Sequence, residues 1–208
     1  MASRREFLQF GIAASALPIT GAGGLSSDLL TSNEPARTPL YKVVFDERFP
    51  DSVAFGIEMK RLGVPAHGIS GDITDFWLHD LDPRWKRGPV AIAGLTAHGP
   101  VFCLERLSWD HRMRVVFSAE HRSLGDGRIE HTISGPDIML RHAAELVAGG
   151  PNWGTLIARV VTHCPPDRSQ ISKTTIITPL ATATDDEQEP LMSWVIAPVD
   201  GAMRRNLT

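Results

Sequence analysis

The chain has 208 residues, 42% hydrophobic and 22% charged, with a formal net charge of -3. Those fractions fit one ordinary globular domain with a sizeable core. There is no basic run, which excludes nucleic acid or an anionic membrane surface as the main partner.

The chain opens Ser3-Arg4-Arg5-Glu6-Phe7-Leu8-Gln9. An apolar run rich in small residues follows, Phe10 to Leu17, and Pro18 interrupts it. It is too short to span a bilayer. The pattern resembles the bacterial twin-arginine (Tat) export signal, Ser/Thr-Arg-Arg-x-Phe-Leu-Lys, with Gln9 in place of the usual Lys. Arg4, Arg5, Phe7 and Leu8 carry the resemblance, which covers only about the first two dozen residues. It implies export to the periplasm by the Tat translocase, in a folded state. Such a signal is an address, not an anchor. An ordinary amphipathic N-terminal helix is the alternative reading. Cleavage is expected at Ala14-Ser15-Ala16, Thr20-Gly21-Ala22 or Ala22-Gly23-Gly24. No cysteine lies nearby, so no lipid anchor is expected. Residues 1–24 are read as the signal, 25–39 as a flexible linker and 40–208 as a single α/β domain. Past the signal the net charge is near -4, because the signal holds two arginines and one glutamate.

Tyr41 to Asp46 is a β-branched and aromatic run and predicts a strand. Asp51 is placed to cap a helix over Ser52 to Leu62, with Val53, Ile57, Met59 and Leu62 inward and Gly63 as its stop. Val64 to Ile69 is a weaker strand. A helix over Ile73 to Leu81 follows, ended by Asp82-Pro83, since the residue before proline avoids helical geometry. Pro89 to Ala93 reads as a covered parallel strand. A loop, Gly94 to Gly99, leads to a helix from Pro100 to Asp110 with Phe102, Cys103, Leu104 and Leu107 inward.

Met113 to Ala119 and Ile129 to Ser134 flank Gly125-Asp126-Gly127 and predict an antiparallel hairpin. Pro136 to Val147 is a helix stopped by Gly149-Gly150. Asn152 is placed to cap another, whose stripe is Trp153, Leu156, Ile157, Val160, Val161 and Cys164. Lys173 to Ile177 and Leu191 to Ala197 read as strands around an acidic loop, Thr182 to Pro190. The succession predicts a three-layer, Rossmann-like α/β domain with a mainly parallel sheet and an antiparallel C-terminal extension.

Cys103 and Cys164 match no metal or redox spacing; a disulfide and two buried thiols both remain open. None of the eight histidines forms a ligand pair, so no metal site is expected and most histidines are read as surface or half-buried polar residues. Trp85, beside Lys86 and Arg87, is either an exposed partner contact or a cap on the core edge.

Ligands of open α/β sheets gather at the strands' carboxyl ends. Three loops are expected there: Asp46 to Asp51, Ser70 to Asp72, and Gly94 to Gly99. In the third, Gly94 and Gly99 would let a ligand approach the backbone, with Thr96 and His98 adding a hydroxyl and an imidazole. The plainer reading is a strand-to-helix turn that needs glycine. Ser70 and Asp72, with Thr96 and His98, are the weak catalytic candidates, although Asp72 is also a good helix cap. Asp46 and Glu47 suit a cation or a ligand hydroxyl, or simply a solvated strand end. No dinucleotide fingerprint, P-loop, nucleophile elbow or kinase set occurs, so no cofactor is expected. The function expected is a non-catalytic accessory subunit or small-molecule-binding protein, with a co-exported protein as its candidate partner. The alternatives are a small enzyme using the strand-end loops, or a subunit of an exported oxidoreductase complex.

Overall fold

The computed structural model describes residues 37–147, 152–165, 171–179 and 189–198. The export signal, most of the linker, Gly149-Gly150 and the acidic stretch from Thr182 to Gln188 lie outside the described residues. Thr38 is already packed, its N–H donating to Cys164 O at 2.8 Å.

One mixed sheet of seven strands organises the domain, in the order β2-β1-β3-β7-β4-β5-β6. The strands are β1 (Leu40–Asp46), β2 (Ala66–Ile69), β3 (Ala91–Ala97), β4 (Met113–Ser123), β5 (Arg128–Pro136), β6 (Ile171–Pro179) and β7 (Leu191–Pro198). β1 pairs in parallel with β2 and β3; every other pairing is antiparallel. The expected mainly parallel sheet is therefore corrected. The expectation rested on consecutive strands being neighbours, but β7 inserts between β3 and β4 and runs antiparallel to both. The β4–β5 hairpin forms as predicted, with Gly125 and Gly127 at φ 77 and 75°.

The helices are α1 (Pro50–Arg61), α2 (Thr74–Phe76), α3 (Asp82–Arg87), α4 (His98–Trp109), α5 (Asp137–Val147) and α6 (Trp153–Thr162). A π turn, Trp77–Leu81, joins α2 to α3. The chain thus stays helical past Asp82-Pro83, because Pro83 lands in the first turn of α3, where its missing N–H needs no partner. Asp51 does not cap α1; Phe49 holds that position and Pro50 starts the helix. The buried face of α1 is Ser52, Phe55, Gly56 and Met59, and Ile57 is 64% exposed. Small Ser52 and Gly56 set that phase by letting the helix lie close on the sheet. On α4 the buried residues are Pro100, Val101, Leu104 and Ser108, while Phe102 and Cys103 are exposed. The α6 stripe lies inward largely as predicted, with Trp153, Ile157, Val160, Val161 and Cys164 buried. Neither Cys103, which is exposed, nor Cys164, which is buried, is in a disulfide. Trp85 is buried, its Nε1–H donating to Val90 O at 2.9 Å.

Alternation along the central strands feeds two cores. Val43, Phe45, Leu95 and Val195 pack with Phe55, Met59, Met139, Ile157 and Val161 of α1, α5 and α6. Val44, Ile92, Trp194 and Ile196 pack with Phe76, Leu81, Trp85, Val101 and Leu104 of the α2–α4 side. This two-sided burial explains why β3 is buried along its whole length.

Gly94 is a point of close approach in the middle of the sheet. A Cβ there would lie 2.3 Å from Trp194 Cζ2 and 2.7 Å from Val44 O. A Cβ at Gly99 would meet nothing within 4 Å. Gly94→Ala is therefore expected to cost about 3 kcal/mol, through overpacking against a fixed indole and a carbonyl. Gly99→Ala should change stability by less than about 0.5 kcal/mol. Urea midpoints of both variants check this; equal midpoints would refute the assignment of Gly94 to packing.

Candidate functional site

Two of the three expected loops meet. Gly71, Asp72, Ile73 and Thr74 follow β2, and Gly99 and Pro100 open α4. With Trp77, Leu78, Cys103 and Leu107 they line an open crevice of about 380 Å³. It lies at the carboxyl ends of the parallel strands, beside the place where strand order reverses at β1. Its walls are mostly apolar, with a thiol, a carboxylate and the first turn of α4 as polar elements. Leu78 is 55% exposed at its rim, and Phe102 and Trp109 are exposed further along α4.

Asp72 Oδ1 accepts the Thr74 N–H at 2.8 Å, the local role of a helix-start carboxylate. The Thr74 hydroxyl, together with that backbone hydrogen bond, holds the Asp72 carboxyl below its usual range. His98 is exposed and stacks on Phe102, ring centroids 6.0 Å apart. Ser70 is exposed beside the crevice without lining it. Gly94 and Thr96 belong to β3, which runs through Ala97 rather than ending at Ala93. Thr96 is fully buried; its hydroxyl donates to Ala97 O at 2.9 Å and accepts from Trp194 Nε1 at 3.2 Å. The structure thus brings Asp72 and Gly99 into one crevice and keeps the Thr96 hydroxyl out of it.

Asp46 is not a solvated strand end. It is fully buried, and Arg48 clamps it through Nε to Oδ1 at 2.9 Å and Nη2 to Oδ2 at 2.7 Å. The same guanidinium lies across Gly71, where a Cβ would sit 2.8 Å from Arg48 Cζ and φ is +82°. The Asp46 N–H donates to Ser52 Oγ at 2.7 Å, and the Ser52 hydroxyl donates to Leu95 O. These bonds fix the carboxyl ends of β1, β2 and β3 relative to one another.

A second polar cluster joins β1 to the π turn. Tyr41 Oη donates to Asp80 Oδ1 at 2.7 Å, and Lys42 Nζ pairs with Asp80 Oδ2. The β1–β3 register shifts at Tyr41, so a bulge and a π turn meet at one ion pair. Burial alone would raise the Asp80 carboxyl, but these bonds hold it below its ordinary range.

Two of the eight histidines are buried, a placement the sequence alone does not single out. His121 and His131 are 2% and 0% exposed, with their Nδ1 atoms 2.6 Å apart. His121 Nε2 lies 2.8 Å from Ser193 Oγ, and His131 Nε2 lies 2.9 Å from Thr178 Oγ1. The Trp153 ring covers both, with centroids 4.4 and 5.5 Å away. One proton in each gap satisfies the row when both rings are neutral. The hairpin signal contained this pair: reflecting His121 through Asp126 lands on His131, its cross-strand partner. Among the described residues no three metal-type side chains cluster.

Burial pushes the His131 imidazole down to about 4, and burial with the neighbouring His131 charge pushes His121 well below its ordinary value. An unfolded histidine, near 6.5, then binds protons that the folded one refuses. Stability is complete above pH 6.5 and falls as pH drops toward 4, by about 3 kcal/mol for His131 alone. Urea unfolding at stepped pH checks this. His131→Gln should flatten the slope, and an unchanged slope would refute the assignment. The chain matches no family model, no curated protein and no solved structure.

Proposed function

We propose that this chain is a Tat-exported periplasmic binding protein, acting without catalysis as an accessory subunit or a small-molecule carrier. The Arg4-Arg5-Glu6-Phe7-Leu8 pattern supports the export half of the reading. The open apolar crevice between the α2–π segment and α4 supports the binding half, and it is the observation that carries the proposal. Apolar walls with a few polar groups suit a small, largely apolar ligand or one apolar side chain of a partner. The reading takes the β2-β1-β3 end as Rossmann-like, with helices on both faces and its ligand at the carboxyl ends of the strands.

The alternative, an enzyme built on Ser70, Asp72, Thr96 and His98, has less support. Its Thr96 hydroxyl is buried and doubly engaged, and Asp72 is occupied at a helix start. A subunit of an exported oxidoreductase complex remains a form of the accessory reading. No helix among the described residues is long and apolar enough to cross a membrane.

Two measurements test the halves separately. Arg4→Lys with Arg5→Lys should hold the protein in the cytoplasm; unimpaired export of that variant defeats the first half. Protein purified from periplasm should carry a small molecule or a different chain in native mass spectrometry. Leu78→Asp, at an exposed rim position, should abolish that association while leaving the circular dichroism spectrum intact. Retained association in Leu78→Asp, or a wild-type chain with nothing bound, defeats the second half.

A further inference from the structure

The two edges of the sheet are built differently. β2, at one end, has four residues, a length that gives another strand little to pair with. β6, at the other end, has nine residues and pairs only with β5 among the described residues. Six of those nine are β-branched: Ile171, Thr174, Thr175, Ile176, Ile177 and Thr178. Ile171 and Ile177 are 59% and 50% exposed. Lys173 is the strand's one charge, and Pro179 closes it. Along the same edge runs a shallow groove of about 400 Å³, lined by Asp137, Leu140, Arg141 and Ala144 of α5 and by Thr174 of β6.

We propose that β6 is a homodimer edge, two copies pairing antiparallel about a two-fold axis through Thr175. Only that centre overlaps all nine residues. It sets Lys173 opposite Ile177 of the partner subunit, so the one charge of the strand never faces itself. It sets Thr174 opposite Ile176 of the partner subunit. Because Thr174 borders the groove, that isoleucine arrives beside Leu140 and Ala144, and the symmetric contact repeats on the other copy. A shift that centres the axis on Lys173 would oppose two lysines and shorten the overlap. The occupant that fits this edge is therefore a second copy of this chain. Pairing would give the outer N–H and C=O groups of β6 their partners and cover its exposed isoleucines.

Sedimentation of the full chain tests the proposal. A dimer is expected. Ile177→Lys places a lysine opposite Lys173 at both ends of the axis and should yield monomer, whereas Ile177→Glu should keep the dimer. Both substitutions are at an exposed position, and unchanged circular dichroism confirms that the fold survives. In a Cys103→Ser background, Thr175→Cys should cross-link across the axis under oxidation or a short bis-maleimide. Lys173→Cys should not, since it faces residue 177. A monomer at every concentration overturns the proposal. So does a dimer insensitive to Ile177→Lys, or cross-linking at Lys173→Cys equal to that at Thr175→Cys.

Discussion

The fold depends on one close contact in the middle of the sheet, Trp194 of β7 against Gly94 of β3. The indole takes the space any side chain at Gly94 would need and donates to the Thr96 hydroxyl two residues on. That contact joins the parallel end, β2-β1-β3, to the antiparallel end, β4-β5-β6, across a single strand. Trp194 feeds one core and its neighbour Val195 feeds the other. A glycine that a loop reading assigns to a ligand is instead the condition for the two halves of the sheet to meet.

The reverse face of β7 carries the matching polar contact. Ser193 reaches His121, and the row continues through His131 to Thr178 of β6. Four strands are thus tied by three short side-chain contacts under the Trp153 ring. A buried row of this kind is favourable only when every member is satisfied, so it specifies the order β7-β4-β5-β6 against a slipped register. The helices above it are fixed in a similar way. Gly154 of α6 lets the backbone of Asp51 in α1 approach, since a Cβ there would sit 2.2 Å from Asp51 O. Glu58 then accepts from Arg61 and from Arg159 of α6, and these bonds hold its carboxyl down to about 2.

How much was legible follows the range of each signal. The strands, the hairpin and the α6 stripe from Trp153 to Val161 rest on local periodicity, and local periodicity found them. Failures came where phase or pairing is set at a distance. Ile57 and Phe102 are apolar and were assigned inward, yet Ser52 and Gly56 on α1, and Pro100 and Ser108 on α4, decide which side lies on the sheet. The parallel order failed because nothing near Leu191 says that the last strand goes to the centre. Of the candidate site, Asp72 and Gly99 were legible as a strand-end crevice. Cys103 was not, because the sequence assigns it to the core side of α4, and Leu78 was not, because it is an exposed residue of a segment whose buried side is Phe76 and Leu81. The His121–Ser193 contact spans 72 residues and appears only once β7 is placed.

A central strand that comes last among the described strands also sets an order of events. β3 and β4 have no neighbour in common until residues 191–198 arrive, so the two halves of the sheet cannot be joined before that segment has been made. Contacts of such long sequence separation close late and slowly. Until they close, the inner edges of β3 and β4 are open, and β3 is a strand that the finished fold buries along its whole length. A chain of this design benefits from completing its fold in one compartment before moving to another. That is the circumstance the proposed twin-arginine route supplies, and it gives a physical reason for folded export that requires no bound cofactor.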